Sequence, residues 1–110
     1  MLEPGDLADL PGAEIVLRGI EDLAAGRLSV EALLVAIGSP RLRFIGIEIP
    51  GPLPASPEDA LYEHLAREHG REAHGRYNAW LRRLMRFERA AEHHVYRERR
   101  LRRSAAGTTS

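Results

Sequence analysis

Cysteine and lysine are both absent from this 110-residue chain, and so is glutamine. Without thiols there is no disulfide framework, no thiolate zinc site and no cysteine nucleophile. Without lysine there is no ε-amine for Schiff-base or general-base chemistry. Aromatic residues are sparse, at 5%, and Asn78 is the sole carboxamide. Long apolar runs are missing as well. The longest covers residues 32–37, far short of the roughly 20 residues that a membrane-spanning helix needs. Residues 1–6 are acidic and carry neither the basic start nor the apolar stretch of a signal peptide. The expectation is a cytoplasmic protein that does not enter a membrane.

What is present is charge, plentiful and balanced: 16 arginines face 16 Asp plus Glu, and 44% of the residues are hydrophobic. A chain of this length buries about 65% of its unfolded surface on folding, enough for a core without metal or staple. The balance hides a split. Residues 1–60 hold four Arg against ten acids, a net −6, and residues 61–110 hold twelve Arg against six acids, a net +6. Such a chain suits self-association, or the offer of its basic end to an anionic partner. Arginine without lysine, beside abundant Ala and Gly, reads as codon bias from a G+C-rich genome. The arginine count is therefore discounted as evidence for nucleic-acid binding.

Apolar spacing predicts helices throughout. Over residues 13–25, Val16, Ile20, Leu23 and Ala24 form one stripe, widened by Ile15 and Leu17, with Glu14, Arg18 and Asp22 on the opposite side. Gly26 is a C-terminal stop. A second helix over residues 30–37 has Ser29 as N-cap and buries Val30, Leu33, Leu34 and Ile37, and Gly38-Ser39-Pro40 is expected to end it. Residues 41–49 mix strand-like alternation with a Pro40 helix start, and read as a helical turn followed by an extended segment. Four prolines and a glycine within residues 50–57 make a stiff connector. Ser56-Pro57-Glu58-Asp59 then opens a helix to about His69, with Leu61 and Leu65 inward and Gly70 as its break. Residues 71–103 read as one amphipathic helix that buries Tyr77, Trp80, Leu81, Leu84, Phe87, Ala91 and Val95. It would span roughly 50 Å, against a diameter of roughly 34 Å for a compact domain of this size. Its distal end is expected to overhang.

The motifs that carry chemistry are few. His64, His69 and His74 are five apart and His93 adjoins His94, so no pair has the i,i+3 or i,i+4 spacing of a helical metal site. His64, Glu68 and Glu72 do share a face, but Arg67, Arg71 and Arg76 stand ready to neutralise the acids. The expectation is ion-paired histidine and no metal. Arg89 and His94 are similar in spacing to the Arg-x(4–6)-His motif of HEPN-type ribonucleases. Arg67–His74 and Arg86–His93 match it as well, which is near the chance rate for this composition, and Ala90 stands where that family has a polar residue. No nuclease is inferred. Residues 29–44 have the rhythm of a helix-turn-helix with Gly38 in the turn. Leu34 at the tight-packing position and the acidic surroundings favour an ordinary helical hairpin. The serines fall in caps, turns and tail, and no glycine-rich phosphate loop occurs.

These readings predict an all-α fold. Two short N-terminal helices lead through a Pro-rich connector to a helix pair dominated by one long amphipathic helix. The expected layout is a single helical domain over residues 1–104, with an acidic half (1–49), the connector (50–56) and a basic half (57–104), then a disordered tail (105–110). The expected function is a non-enzymatic interaction module, a homo-oligomer or a protein-docking unit, with Tyr77, Trp80, Leu84 and Phe87 as its interface. The alternative is a small nucleic-acid-binding regulator that uses the basic patch Arg97, Arg99, Arg100, Arg102 and Arg103, with or without residues 29–45. No catalytic residue, metal ligand or cofactor is assigned.

Overall fold

The computed structural model describes residues 4–108. A single turn, α1 (Pro4–Leu7), precedes α2 (Ala13–Ala24), α3 (Val30–Phe44), α4 (Pro57–His69) and α5 (Ala73–Thr108), with a short 3-10 turn over Gly70–Glu72. The fold is all-α, as the apolar spacing predicts, and among the described residues there is no strand. The one-turn α1 adds to the expected set and places Leu7 in the core. Residues 1–3 of the acidic start and the last residues of the tail expected over 105–110 lie outside the described residues. The α5 backbone is helical to Thr108.

Helix α2 ends where its sequence says it should. The Gly26 N–H donates to Leu23 O and the Arg27 N–H to Asp22 O, with Gly26 at a φ of 77° that favours glycine. The Asp22 side chain, expected on the solvent face, is instead buried. Its Oδ1 accepts from Arg27 Nε at 3.0 Å and Nη2 at 2.8 Å, and its Oδ2 accepts from Ser29 Oγ at 2.5 Å. Ser29 Oγ in turn accepts from the Ala32 N–H at 3.1 Å, which makes it the predicted cap of α3. One carboxylate therefore ties the end of α2 to the start of α3. The Ser29 hydroxyl, and then the Arg27 guanidinium, hold it below the usual carboxylate range.

The expected stop at Gly38-Ser39-Pro40 does not occur. Helix α3 runs through all three residues to Phe44, so residues 29–44 form neither the helical hairpin expected there nor a helix-turn-helix, but one uninterrupted helix. Proline inside a helix costs about 3 kcal/mol. Continuing the helix carries Leu42 and Ile45 into the core, and each side chain so buried contributes about 1.5–3 kcal/mol, which offsets the loss. Gly38 is a contact point rather than a break: a Cβ there would lie 3.1 Å from Leu84 Cδ1 and Glu88 Oε2 of α5. The true end is at Gly46, with a φ of 101°. There the Gly46 N–H donates to Arg43 O and the Ile47 N–H to Leu42 O, and the apolar side chains of Leu42 and Ile47 are both buried. The chain then leaves the helix, and Arg43 Nη2 donates to Ile49 O at 3.0 Å.

Helix α4 starts with Pro57 in its first turn, as predicted, and buries Leu61 and Leu65. It packs back on α5, with the rings of Tyr62 and Tyr77 edge to face at 5.6 Å. Leu7, Val16, Leu34, Leu61 and Phe87, one from each helix in turn, are among the largest fully buried side chains. At 36 residues, α5 is about 54 Å long, and it stretches the molecule to 61 × 26 × 21 Å.

Candidate functional site

The inward face of α5 is set by three- and four-residue steps. Ala73, Leu84, Phe87, Ala91 and Val95 are buried, and Tyr77, Trp80 and Leu81 are partly buried against the same core. Val95 is the last of the series, and every residue from Tyr96 to Ser104 is exposed. The helix therefore leaves the globule at Val95 for a simple reason. The sequence beyond it offers two large hydrophobic side chains, Tyr96 and Leu101, and both are exposed, at 61% and 68%.

The residues expected to form an interface separate into two groups. Leu84 and Phe87 are enclosed by the chain's own helices, at 3% and 0% exposure. Tyr77 and Trp80 sit at the rim. Tyr77 packs against Tyr62 of α4, and the Arg83 guanidinium lies 4.9 Å from the centre of the Trp80 ring. Burial, and then the carboxylates of Glu58 and Asp59, push the Tyr77 hydroxyl above its ordinary pKa. These aromatics are engaged within the chain.

Arg97, Arg99, Arg100, Arg102 and Arg103 all lie beyond Val95 and are exposed. Arg102 is 3.9 Å from Glu98, which also stands 3.7 Å from His94. Among the described residues, Arg97, Arg99, Arg100 and Arg103 make no ion pair.

A larger arrangement emerges from the helix geometry. Arg82, Arg86, Arg89, His93, Arg97 and Arg100 follow one another at intervals of four, three, four, four and three, and all are exposed. At 3.6 residues per turn they share one face, opposite Leu84 and Ala91. The carboxylates of α5 lie off this face. Glu92 is held by Arg41 of α3, whose guanidinium it pushes to a higher pKa. Glu88 is buried beside Gly38, and that burial raises its carboxyl above the ordinary range. Cationic groups thus line the outer surface of α5 without carboxylates among them. A shallow open hollow lined by Arg82, Met85, Arg86 and Arg89 lies within this surface. The signal was present in the sequence as spacing. Density alone points to residues 97–103 and passes over the stripe that leads into them.

Elsewhere the polar groups answer one another. His64 and His69 flank Glu68 at 3.3 and 3.6 Å, and Arg76 pairs with Glu72 at 3.2 Å. Among the described residues no group of His, Asp and Glu is placed to hold a metal ion. An open hollow at the Asp22 turn is lined by Glu14, Leu17, Arg18, Glu21, Asp22 and Arg27, but its acidic centre is already bonded to Arg27 and Ser29. No helix among the described residues is long and apolar enough to cross a membrane. Neither a family model, a curated protein nor a solved structure matches the chain.

Proposed function

We propose that this chain is a non-enzymatic interaction module whose docking element is α5, gripped by the globule from Ala73 to Val95 and offered to a partner beyond it. The observation that carries this reading is the continuation of the helix past Val95, the last buried residue among those described, as a rod whose described side chains are exposed and cation-rich. A helix that extends beyond its own core gains nothing from packing there, and its isolated turns are marginal in water. A partner that covers them supplies the missing contacts. The −6/+6 division of charge makes a second copy eligible, with the rod of one molecule on the acidic half of another.

The test compares the full chain with one ending at Tyr96, a cut that spares every buried residue among those described. Circular dichroism confirms that both fold. Each is then run alone in sedimentation velocity, and each is used as bait in a lysate of the source organism. The reading expects the full chain to self-associate or to retain a macromolecule, and the shortened chain to do neither. Identical behaviour of the two chains in both assays would refute it.

A further inference from the structure

We propose that the partner of α5 is the phosphate backbone of double-stranded DNA, bound along the stripe of Arg82, Arg86, Arg89, His93, Arg97 and Arg100. The proposal rests on the reading of α5 as the docking element and goes further in naming the chemistry of what docks. Four observations carry it.

The first is linear placement. From Arg82 to Arg100 the stripe extends about 27 Å along a straight helix, comparable with one turn of duplex, about 34 Å. Cations on a rigid rod match a polyanion that carries one charge per about 1.7 Å of axis. The second is availability. Among the described residues the five arginines of the stripe make no ion pair, so binding breaks no internal contact. Arg41 has already neutralised Glu92, the exposed acid nearest the stripe's centre in sequence.

The third observation is the change in cation distribution at Val95. Where the globule backs the helix, arginines of the stripe face outward on one side, the arrangement suited to a single strand's phosphates. Beyond Val95, Arg97, Arg99, Arg100, Arg102 and Arg103 spread over more than half of the circumference, with Leu101 and Glu98 in the remaining sector. Cations on two flanks suit a helix with phosphates on both sides, as in a major groove about 12 Å wide that admits an α-helix. The fourth is what the surface lacks. Single-strand binders stack bases on successive aromatic rings. The only aromatic residue on the exposed part of α5 is Tyr96. Duplex is therefore favoured over single strand. The chain has no Gln, and its one Asn, Asn78, contacts His74. The usual bidentate readers of adenine are missing, so binding is expected to be largely independent of sequence.

The test is fluorescence anisotropy of a labelled mixed-sequence duplex of about 30 base pairs, titrated with the full chain. Five phosphate contacts predict a log–log salt slope of about −4.5, hence an affinity loss of about 500-fold between 50 and 200 mM salt. Replacing Arg86 or Arg89 singly by Ala should reduce the slope by about one. The double variant Arg86→Glu/Arg89→Glu should weaken binding at least 100-fold. Arg67→Glu, an exposed arginine of α4 outside the stripe, should change it less than about threefold. Thermal melting controls for folding, and every substituted residue is exposed. The proposal is overturned if no duplex binding is found at 50 mM salt. It is also overturned if the Arg67 and stripe variants weaken binding equally, or if a single strand of the same sequence binds as tightly. Salt-sensitive self-association without DNA binding would overturn this proposal and leave the interaction-module reading standing. If the chain ending at Tyr96 also matches the full chain in sedimentation and capture, both fall.

Discussion

Replacing Gly19 by alanine tests the packing logic of the fold with a single methyl group. Gly19 is buried mid-helix in α2, and a Cβ there would lie 2.4 Å from both the Glu31 carbonyl oxygen and Val35 Cγ2 of α3. Ordinary contacts at such a position begin about 1 Å further out, so α2 and α3 would have to separate by roughly that amount. One obstacle is backbone, which cannot rotate away. Overpacking of this kind costs about 1–3 kcal/mol, and backbone against backbone belongs at the upper end. Alanine's better helix propensity returns only about 1 kcal/mol. The net expectation is a loss of about 2 kcal/mol, or roughly 8–16 °C in melting temperature for a domain of this size. Gly75 supplies the control. It lies in the first turns of α5, and a methyl group added there would meet nothing within 4 Å, so Gly75→Ala should stabilise by about 0.5–1 kcal/mol. Urea and thermal unfolding followed by circular dichroism measure both, with an unchanged m-value showing that the unfolded state is not the source. A Gly19→Ala variant as stable as the parent would refute the close crossing of α2 and α3 at that residue.

Two titrations follow from the buried acids. Asp22 has a carboxyl pKa below its ordinary 3.8 in the folded chain, so its ionised form stabilises the fold above that value. The contribution should be lost as pH falls below about 4 through the lowered folded pKa, and Asp22→Asn should flatten this part of a plot of urea midpoint against pH. Glu88 is the opposite case. Burial raises its pKa above the ordinary 4.5, so stability should be full below that value and decline as pH rises through the raised pKa. Glu88→Gln should therefore be at least as stable as the parent at pH 7 and lose that advantage at acidic pH, as read from the same midpoints; a less stable variant at pH 7 would contradict the assignment.

The candidate surface was half legible in the sequence. Arg97–Arg103 stand out because five guanidiniums crowd a short stretch, and density needs no structure to be seen. Arg82, Arg86, Arg89 and His93 are spread out, and they become one surface only when the positions opposite the buried stripe of the helix are traced. Leu84 and Phe87 show the other side of this. Apolar spacing marks them as buried by something, and the sequence cannot say whether that something is this chain or another. The packing of the N-terminal helices over α5 answers it.

Local chemistry was sufficient for the helices themselves. Ser29 caps, Pro57 begins, Gly26 and Gly70 terminate, and the three- and four-residue apolar steps name the buried stripes, because each of these effects acts within a turn or two of the residue responsible. The fate of Gly38-Ser39-Pro40 was not local. A proline's cost is fixed by its own geometry, while the gain from continuing past it depends on the core waiting for Leu42 and Ile45. Asp22 likewise left the solvent face assigned by its helical position, since its partners Arg27 and Ser29 meet it only after the chain has turned. Propensity and periodicity are properties of neighbours in sequence, and burial is a property of neighbours in space, which tertiary packing alone supplies.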